Sequence, residues 1–280
     1  MYKLLSALFC LLMTAGSLCS EDLNQVILEH IAKMPKGGQY ASYRKDLPDG
    51  QRFRDLNQTM IDLRTAIDVD RKGRMRIERK RAANYSFCSS ATYLLFCDVV
   101  ASLQKEGVVP ADKSFSTEMA DVGDPERVIQ GELDGIGMFG HWNADGPGTA
   151  VLFHLLNLGP NFSSYKRALP GDFLKIFWND FIGKGERGHL VVYLGENRSG
   201  DSIQVWSSNL SNDDGTSGYG TMWVEKSRIK RALFSRFEQP GNLMNWTMLQ
   251  ASEKKSKYLV QIRQSGSTGE EMKVATGALD

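Results

Sequence analysis

The chain has 280 residues, 41% of them hydrophobic and 24% charged, with 34 basic against 33 acidic side chains and a formal net charge of +1. So even a balance gives no field of one sign to draw the protein to nucleic acid or to an anionic membrane. The length suffices for one sizeable core or two small ones.

Lys3, the apolar run Leu4 to Met13 and the small residues Ala15-Gly16-Ser17 have the layout of a secretory signal peptide over residues 1–20, too short for a spanning helix. The expected location is therefore secreted or periplasmic. Lipid anchoring at Cys19 is not expected, because Leu18 stands where a bacterial lipobox takes a small residue. No later stretch reaches 18 uninterrupted apolar residues, so stable membrane insertion is not expected either. Without the leader the charges balance.

Glu21 to Met34 places Leu23, Val26, Ile27, Ile31 and Met34 at helical spacing, and Pro35-Lys36-Gly37-Gly38 ends that helix. A short helix is predicted through Leu56 to Ile67. Arg71 to Arg81 carries seven basic residues and one Glu, best read as a solvated face. Residues 21–80 form an N-terminal helical extension in this reading. A long helix follows from Phe87 to Glu106, capped by Ser86 or Asn84 and stopped by Gly107. Residues 110–150 are polar and Gly-rich, and Thr149 to Leu158 suits another helix. Strands then succeed one another with short turns: Phe173 to Trp178, His189 to Leu194, Ile203 to Ser207, Met222 to Val224 and Leu233 to Phe237. Helices first and an antiparallel sheet second define an α+β domain over residues 81–250. Residues 251–280, rich in Ser, Gly and Lys, read as a partly disordered tail.

Only Cys88 and Cys97 remain beyond the leader. Nine residues apart on one helix they lie roughly 13–14 Å apart, beyond disulfide reach. A thiol needs help to become a thiolate, and a helix N-terminus or a neighbouring imidazole gives it. Cys88 stands in the first turn of its helix, followed by the small residues Ser89, Ser90 and Ala91. Cys97, mid-helix, reads as core. His189 opens an apolar strand directly after Gly188, well placed to serve Cys88 as base. A third group to orient the imidazole is sought at the end of the next strand: Asn209 first, Ser207 second, Gln204 as a further alternative. Ser89, Trp142 and Asn143 are candidates to line a substrate groove. His141, His154 and Asp145 lack the tight spacing of a metal site.

The pieces Phe87-Cys88-Ser89-Ser90-Ala91, Pro170-Gly171-Asp172-Phe173, Gly188-His189-Leu190-Val191-Val192-Tyr193-Leu194-Gly195 and Val205-Trp206-Ser207-Ser208-Asn209 occur in an order that resembles the NlpC and CHAP papain-like superfamily. The resemblance covers residues 84 to about 240. It departs from the family pattern in having Phe-Cys-Ser-Ser in place of Asp-Cys-Ser-Gly, and in a long separation of Cys88 from His189. Members are mostly bacterial cell-wall hydrolases that cut amide bonds in peptidoglycan peptides. The resemblance implies a papain-like fold in which helices pack on the sheet. It also implies Cys88 as nucleophile, His189 as base and Asn209 as orienter, acting as a monomer on a peptidoglycan or peptide substrate without cofactor or metal. Two alternatives stay open on the same scaffold: a secreted binding module whose cysteine no longer reacts, and a transferase passing the acyl group to an acceptor other than water.

Overall fold

The computed structural model describes residues 20–41, 49–123, 137–249 and 256–280. The expected signal peptide therefore lies outside the described residues, apart from Ser20. Helices α1 (Ser20–Lys33), α2 (Asp49–Ala66), α3 (Arg79–Ala82), α4 (Cys88–Glu106), α5 (Lys113–Ala120), α6 (Gly137–Trp142) and α7 (Gly148–Leu156) precede the main sheet in the chain. Among them run four short strands, β1 (Gln39–Tyr40), β2 (Ile67–Val69), β3 (Met75–Ile77) and β4 (Tyr85–Ser86). The sheet comprises β5 (Asn161–Phe162), β6 (Phe173–Phe177), β7 (Gly188–Glu196), β8 (Ser202–Asn209), β9 (Gly218–Glu225) and β10 (Arg231–Ser235). It has six strands in the order β5-β10-β6-β7-β8-β9, every neighbouring pair antiparallel. Among the described residues no helix is long and apolar enough to cross a membrane. The architecture is α+β, as expected.

Strand alternation sorts the sheet's side chains onto two faces. Phe173, Leu190, Val192 and Trp206 join the helical core, whereas Leu174, Ile176, Val191, Tyr193, Ile203 and Val205 build a second cluster on the opposite face. Helix α4 runs through the larger core with Tyr93, Leu94, Leu95, Phe96, Val99, Val100 and Leu103 fully buried. Each such Leu, Val or Phe contributes about 1.5–3 kcal/mol by leaving water. Gly107, in the left-handed conformation, ends the helix as its sequence predicts.

Three expectations are corrected. Residues 21–80, read as a helical extension, also carry the strands β1, β2 and β3, and they pack into the core of the domain. Leu23 and Ile27 of α1 lie in the same core as α4, and the His30 imidazole of α1 meets Asp98 of α4 at 2.6 Å, with Arg79 on the same carboxylate oxygen. Residues 256–280, expected within a disordered tail, form α8 (Lys257–Ser265) and α9 (Gly269–Thr276). Their Leu259, Ile262 and Met272 are buried against Phe177 and Leu233, and Ser256 and Thr268 cap the two helices. Residues 251–255 lie outside the described residues. The cap of α4 is Phe87 rather than Ser86 or Asn84, and Ser86 instead hydrogen-bonds Ser208 at 2.7 Å.

The Pro170-Gly171-Asp172 turn is a structural hub. Asp172 is fully buried and accepts both Nε and Nη2 of Arg236 at 2.8 Å, the Leu169 N–H at 2.8 Å and the Asn24 amide of α1 at 3.0 Å. Removing the carboxylate takes the ion partner from a mostly buried guanidinium, which keeps the Arg167 carbonyl. Asp172→Ala is therefore expected to cost about 3–5 kcal/mol, read from the urea midpoint of unfolding.

Candidate active site

Cys88 is the first residue of α4, and its residue before, Phe87, offers no side-chain cap. The first-turn N–H groups have no intrahelical acceptors and, with the helix dipole, favour negative charge at the sulfur. Cys88 is a free, half-buried thiol, whereas Cys97 is free and fully buried, with burial pushing its thiol well up. Cys97 is thus core, as its mid-helix position predicts.

The Cys88 thiol and the His189 imidazole are close enough that each shifts the other's titration. His189 shares strand parity with Val191 and Tyr193, which point away from α4. It meets Cys88 because the helix end lies at the strand mouth rather than on one face of the sheet. On the ring's other side Nε2 lies 2.9 Å from Asn209 Oδ1. The Asn209 amide nitrogen donates to Asn212 Oδ1 at 2.8 Å and to the Gly220 carbonyl at 3.0 Å, so its oxygen must face the imidazole. Asn209 accepts the Nε2 proton and leaves Nδ1 for the sulfur. The two alternatives fall away on geometry. Ser207 donates to the Leu190 carbonyl at 2.8 Å, and Gln204 reaches Asp213.

Burial alone would push the Cys88 thiol up. The His189 charge and hydrogen bond outweigh it, the Leu190 N–H and Lys175 add to the pull, and the thiol falls to about 7. Conversely, burial lowers His189, and the adjacent sulfur raises it above its ordinary value. A thiolate–imidazolium pair is the charge state these opposed shifts favour. Lys175, on β6, is held by Glu186 at 2.6 Å. Gly188 makes room for that pair: a Cβ there would lie 2.6 Å from Glu186 Oε1 and 2.7 Å from Lys175 Nζ. The glycine before His189 thus has a packing reason. Trp178 stacks at 6.5 Å over His189 and is half-buried, screening the ring from water.

Sequence reasoning missed Tyr40. Its hydroxyl neighbours the Cys88 thiol, and its ring stands edge-on to His189 at 6.4 Å. Burial, and then the neighbouring sulfur, raise the phenol well above its ordinary range, so it stays a donor. β1 delivers it by pairing parallel with β4, Tyr40 opposite Ser86, two residues ahead of Cys88. Gly37 exchanges two backbone hydrogen bonds with Tyr219, each 2.8 Å. Gly38, at φ +97, passes so close to the Ala83 carbonyl that any Cβ would overlap it. The Gly37-Gly38 pair that sequence marks only as a helix stop is what seats the tyrosine.

Of the groove candidates, Ser89, next to Cys88 in the chain, hydrogen-bonds Asn143. Trp142 does not line a groove. It is 1% exposed, stacked at 4.8 Å on Phe96, and its indole N–H donates to Thr92 at 3.0 Å. The Gly-rich loop around it is an ordered turn whose ring fills the core under α4. His141 is likewise buried, a ring nitrogen against the Gly137 carbonyl.

Comparison of the chain with protein-family models, with curated proteins and with solved structures finds no match.

Proposed function

We propose that the protein is an exported, papain-like cysteine hydrolase that cuts amide bonds, with peptidoglycan peptides as the substrate class. The observation that carries the reading is the Cys88–His189–Asn209 constellation at a helix N-terminus. The His189 ring, bonded to Asn209 at 2.9 Å and next to the Cys88 thiol, supports the roles of base, orienter and nucleophile found in Cys-His-Asn enzymes. The choice of wall peptides rests on the resemblance of the four sequence pieces to the NlpC and CHAP superfamily.

In this reading the Cys88 thiolate attacks the amide carbonyl. The oxyanion that forms takes hydrogen bonds from the Cys88 backbone N–H and from the Tyr40 hydroxyl, released from the sulfur as the C–S bond forms. His189 Nδ1 gives its proton to the leaving amine, which departs and leaves a thioester. His189 then takes a proton from water, the hydroxide adds to the thioester, and the acid leaves with the thiol restored. Asn209 keeps the ring turned so that Nδ1 serves both steps. Asn209→Ala is expected to lower kcat about ten- to hundredfold with KM little changed, because the reacting groups remain and only the ring's orientation is lost.

The experiment is incubation of the protein, freed of its leader, with purified peptidoglycan, followed by mass analysis of the fragments. Hydrolysis gives fragment pairs whose masses sum to the parent plus one water, with a new amino terminus. A product that instead carries an added amine identifies a transferase. Intact peptidoglycan together with untouched synthetic stem peptides contradicts the proposed substrate class.

A further inference from the structure

The seam between β7 and β8 is paired only over part of its length. Hydrogen-bonded partners run from Glu196 opposite Ile203 to Val192 opposite Trp206, and the pairing stops there. The outer edges of both strands continue past that point. β7 stays paired with β6 down to Gly188, and β8 with β9 up to Asn209. The separation is therefore local to one seam, and the start of α4 occupies it.

A residue inside an antiparallel strand directs its N–H and its C=O to the same neighbour. At Leu190 that neighbour ought to be β8, and with the pairing gone both groups need other partners, since an unpaired buried peptide group costs about 1–3 kcal/mol. The carbonyl takes the Ser207 hydroxyl at 2.8 Å. The N–H points to the same side as that carbonyl, where the Cys88 thiol lies, and it helps to lower that thiol. Ser207 is fully buried, and its hydroxyl also lies 3.5 Å from the carbonyl oxygen of Cys88 itself. One hydroxyl thus links the strand of the base, at the residue next to His189, with the residue of the nucleophile.

We propose that Ser207 is a positioning residue, whose hydroxyl replaces the missing ladder bond at Leu190 and holds the β7–β8 seam open so that the Leu190 N–H binds the Cys88 thiolate. This rests on the reading of Cys88 as nucleophile. Without the hydroxyl, the Leu190 carbonyl is left without its partner and is drawn back toward β8, so the seam narrows and the N–H is lost to the sulfur. The thiolate then loses a donor while His189 and Asn209 keep theirs.

The test is the pH dependence of Cys88 alkylation by iodoacetamide, followed by the mass of the Cys88 peptide, in the parent, Ser207→Ala and Ser207→Thr chains. Folding is checked by near-ultraviolet circular dichroism. The alanine chain is expected to titrate about one pH unit higher than the parent, with alkylation below the parent midpoint slowed about tenfold, and the threonine chain to titrate with the parent. Should the alanine chain fail to fold, Ser207→Cys, similar in size and a weak donor, is read instead against the same expectation. An alanine or cysteine chain that titrates with the parent overturns the role of Ser207. A parent that itself titrates as an ordinary thiol contradicts the proposed function instead, so the two failures are distinct.

Discussion

Cys88→Ala is expected to abolish turnover, lowering kcat by on the order of 10⁵-fold or more against any substrate the parent cleaves. No other group can replace the sulfur. Cys97 is buried mid-helix with its thiol pushed up, and the Ser89 hydroxyl is bound to Asn143 and lacks a base. The fold should be little affected, because Cys88 packs only at the margin of the core and α4 is anchored by its buried residues from Tyr93 to Leu103. Substrate binding should also survive, so KM, or a Kd measured with the inactive variant, is expected to stay within a few-fold of the parent. Initial rates on the peptide fragmented in the peptidoglycan assay check the first statement. Persistent activity in Cys88→Ala would move the chemistry elsewhere in the molecule.

The second large effect is expected at Tyr40. Tyr40→Phe keeps the ring that stands against His189 and removes only the hydroxyl. Loss of one preorganised donor to a developing oxyanion costs about 10²–10³ in kcat, while substrate affinity, set elsewhere in the cleft, is expected to remain. A merely structural tyrosine would show the opposite pattern, with kcat preserved and thermal stability reduced. Tyr40→Phe should therefore be assayed beside a thermal melt, and a kcat within threefold of the parent would remove the hydroxyl from the mechanism. The same result would reopen residues 21–41 as a segment dispensable for catalysis.

Local signals in the sequence announced most of the site. Cys88 at a helix start, the Gly188-His189 strand opening and Asn209 at a strand end each depend on neighbours a few residues away, and the antiparallel order of the strands brings the last two together. The choice of Asn209 over Ser207 also follows from register. Continued from Val192 opposite Trp206, the pairing sets position 189 across from 209. Tyr40 was hidden because a two-residue strand has no periodicity, and its partner strand lies more than forty residues on, at Tyr85–Ser86. Trp142 was misread for a related reason. Nothing in a Gly-rich loop says that Phe96, Thr92 and Phe173 will close over its ring. The helices of residues 256–280 left a mark that composition obscured, since Thr268 and Glu271 form a capping box readable three residues apart. Only three buried apolar side chains, Leu259, Ile262 and Met272, anchor them, too few to show as an apolar stripe.

The measurement that bears most directly on Cys88 as an activated nucleophile is its alkylation rate against pH in the folded protein, compared with the same peptide in urea. The partner-lowered thiol is expected to give a rise centred at about pH 7, with Cys97 unlabelled throughout, whereas the unfolded chain should follow an ordinary thiol near 8.5. The sign follows from the depressed value: below the folded midpoint the thiol is protonated and reactivity falls, and above it the thiolate is already formed. A single rise near 8.5 in both states, or labelling of Cys97 ahead of Cys88, would contradict the account.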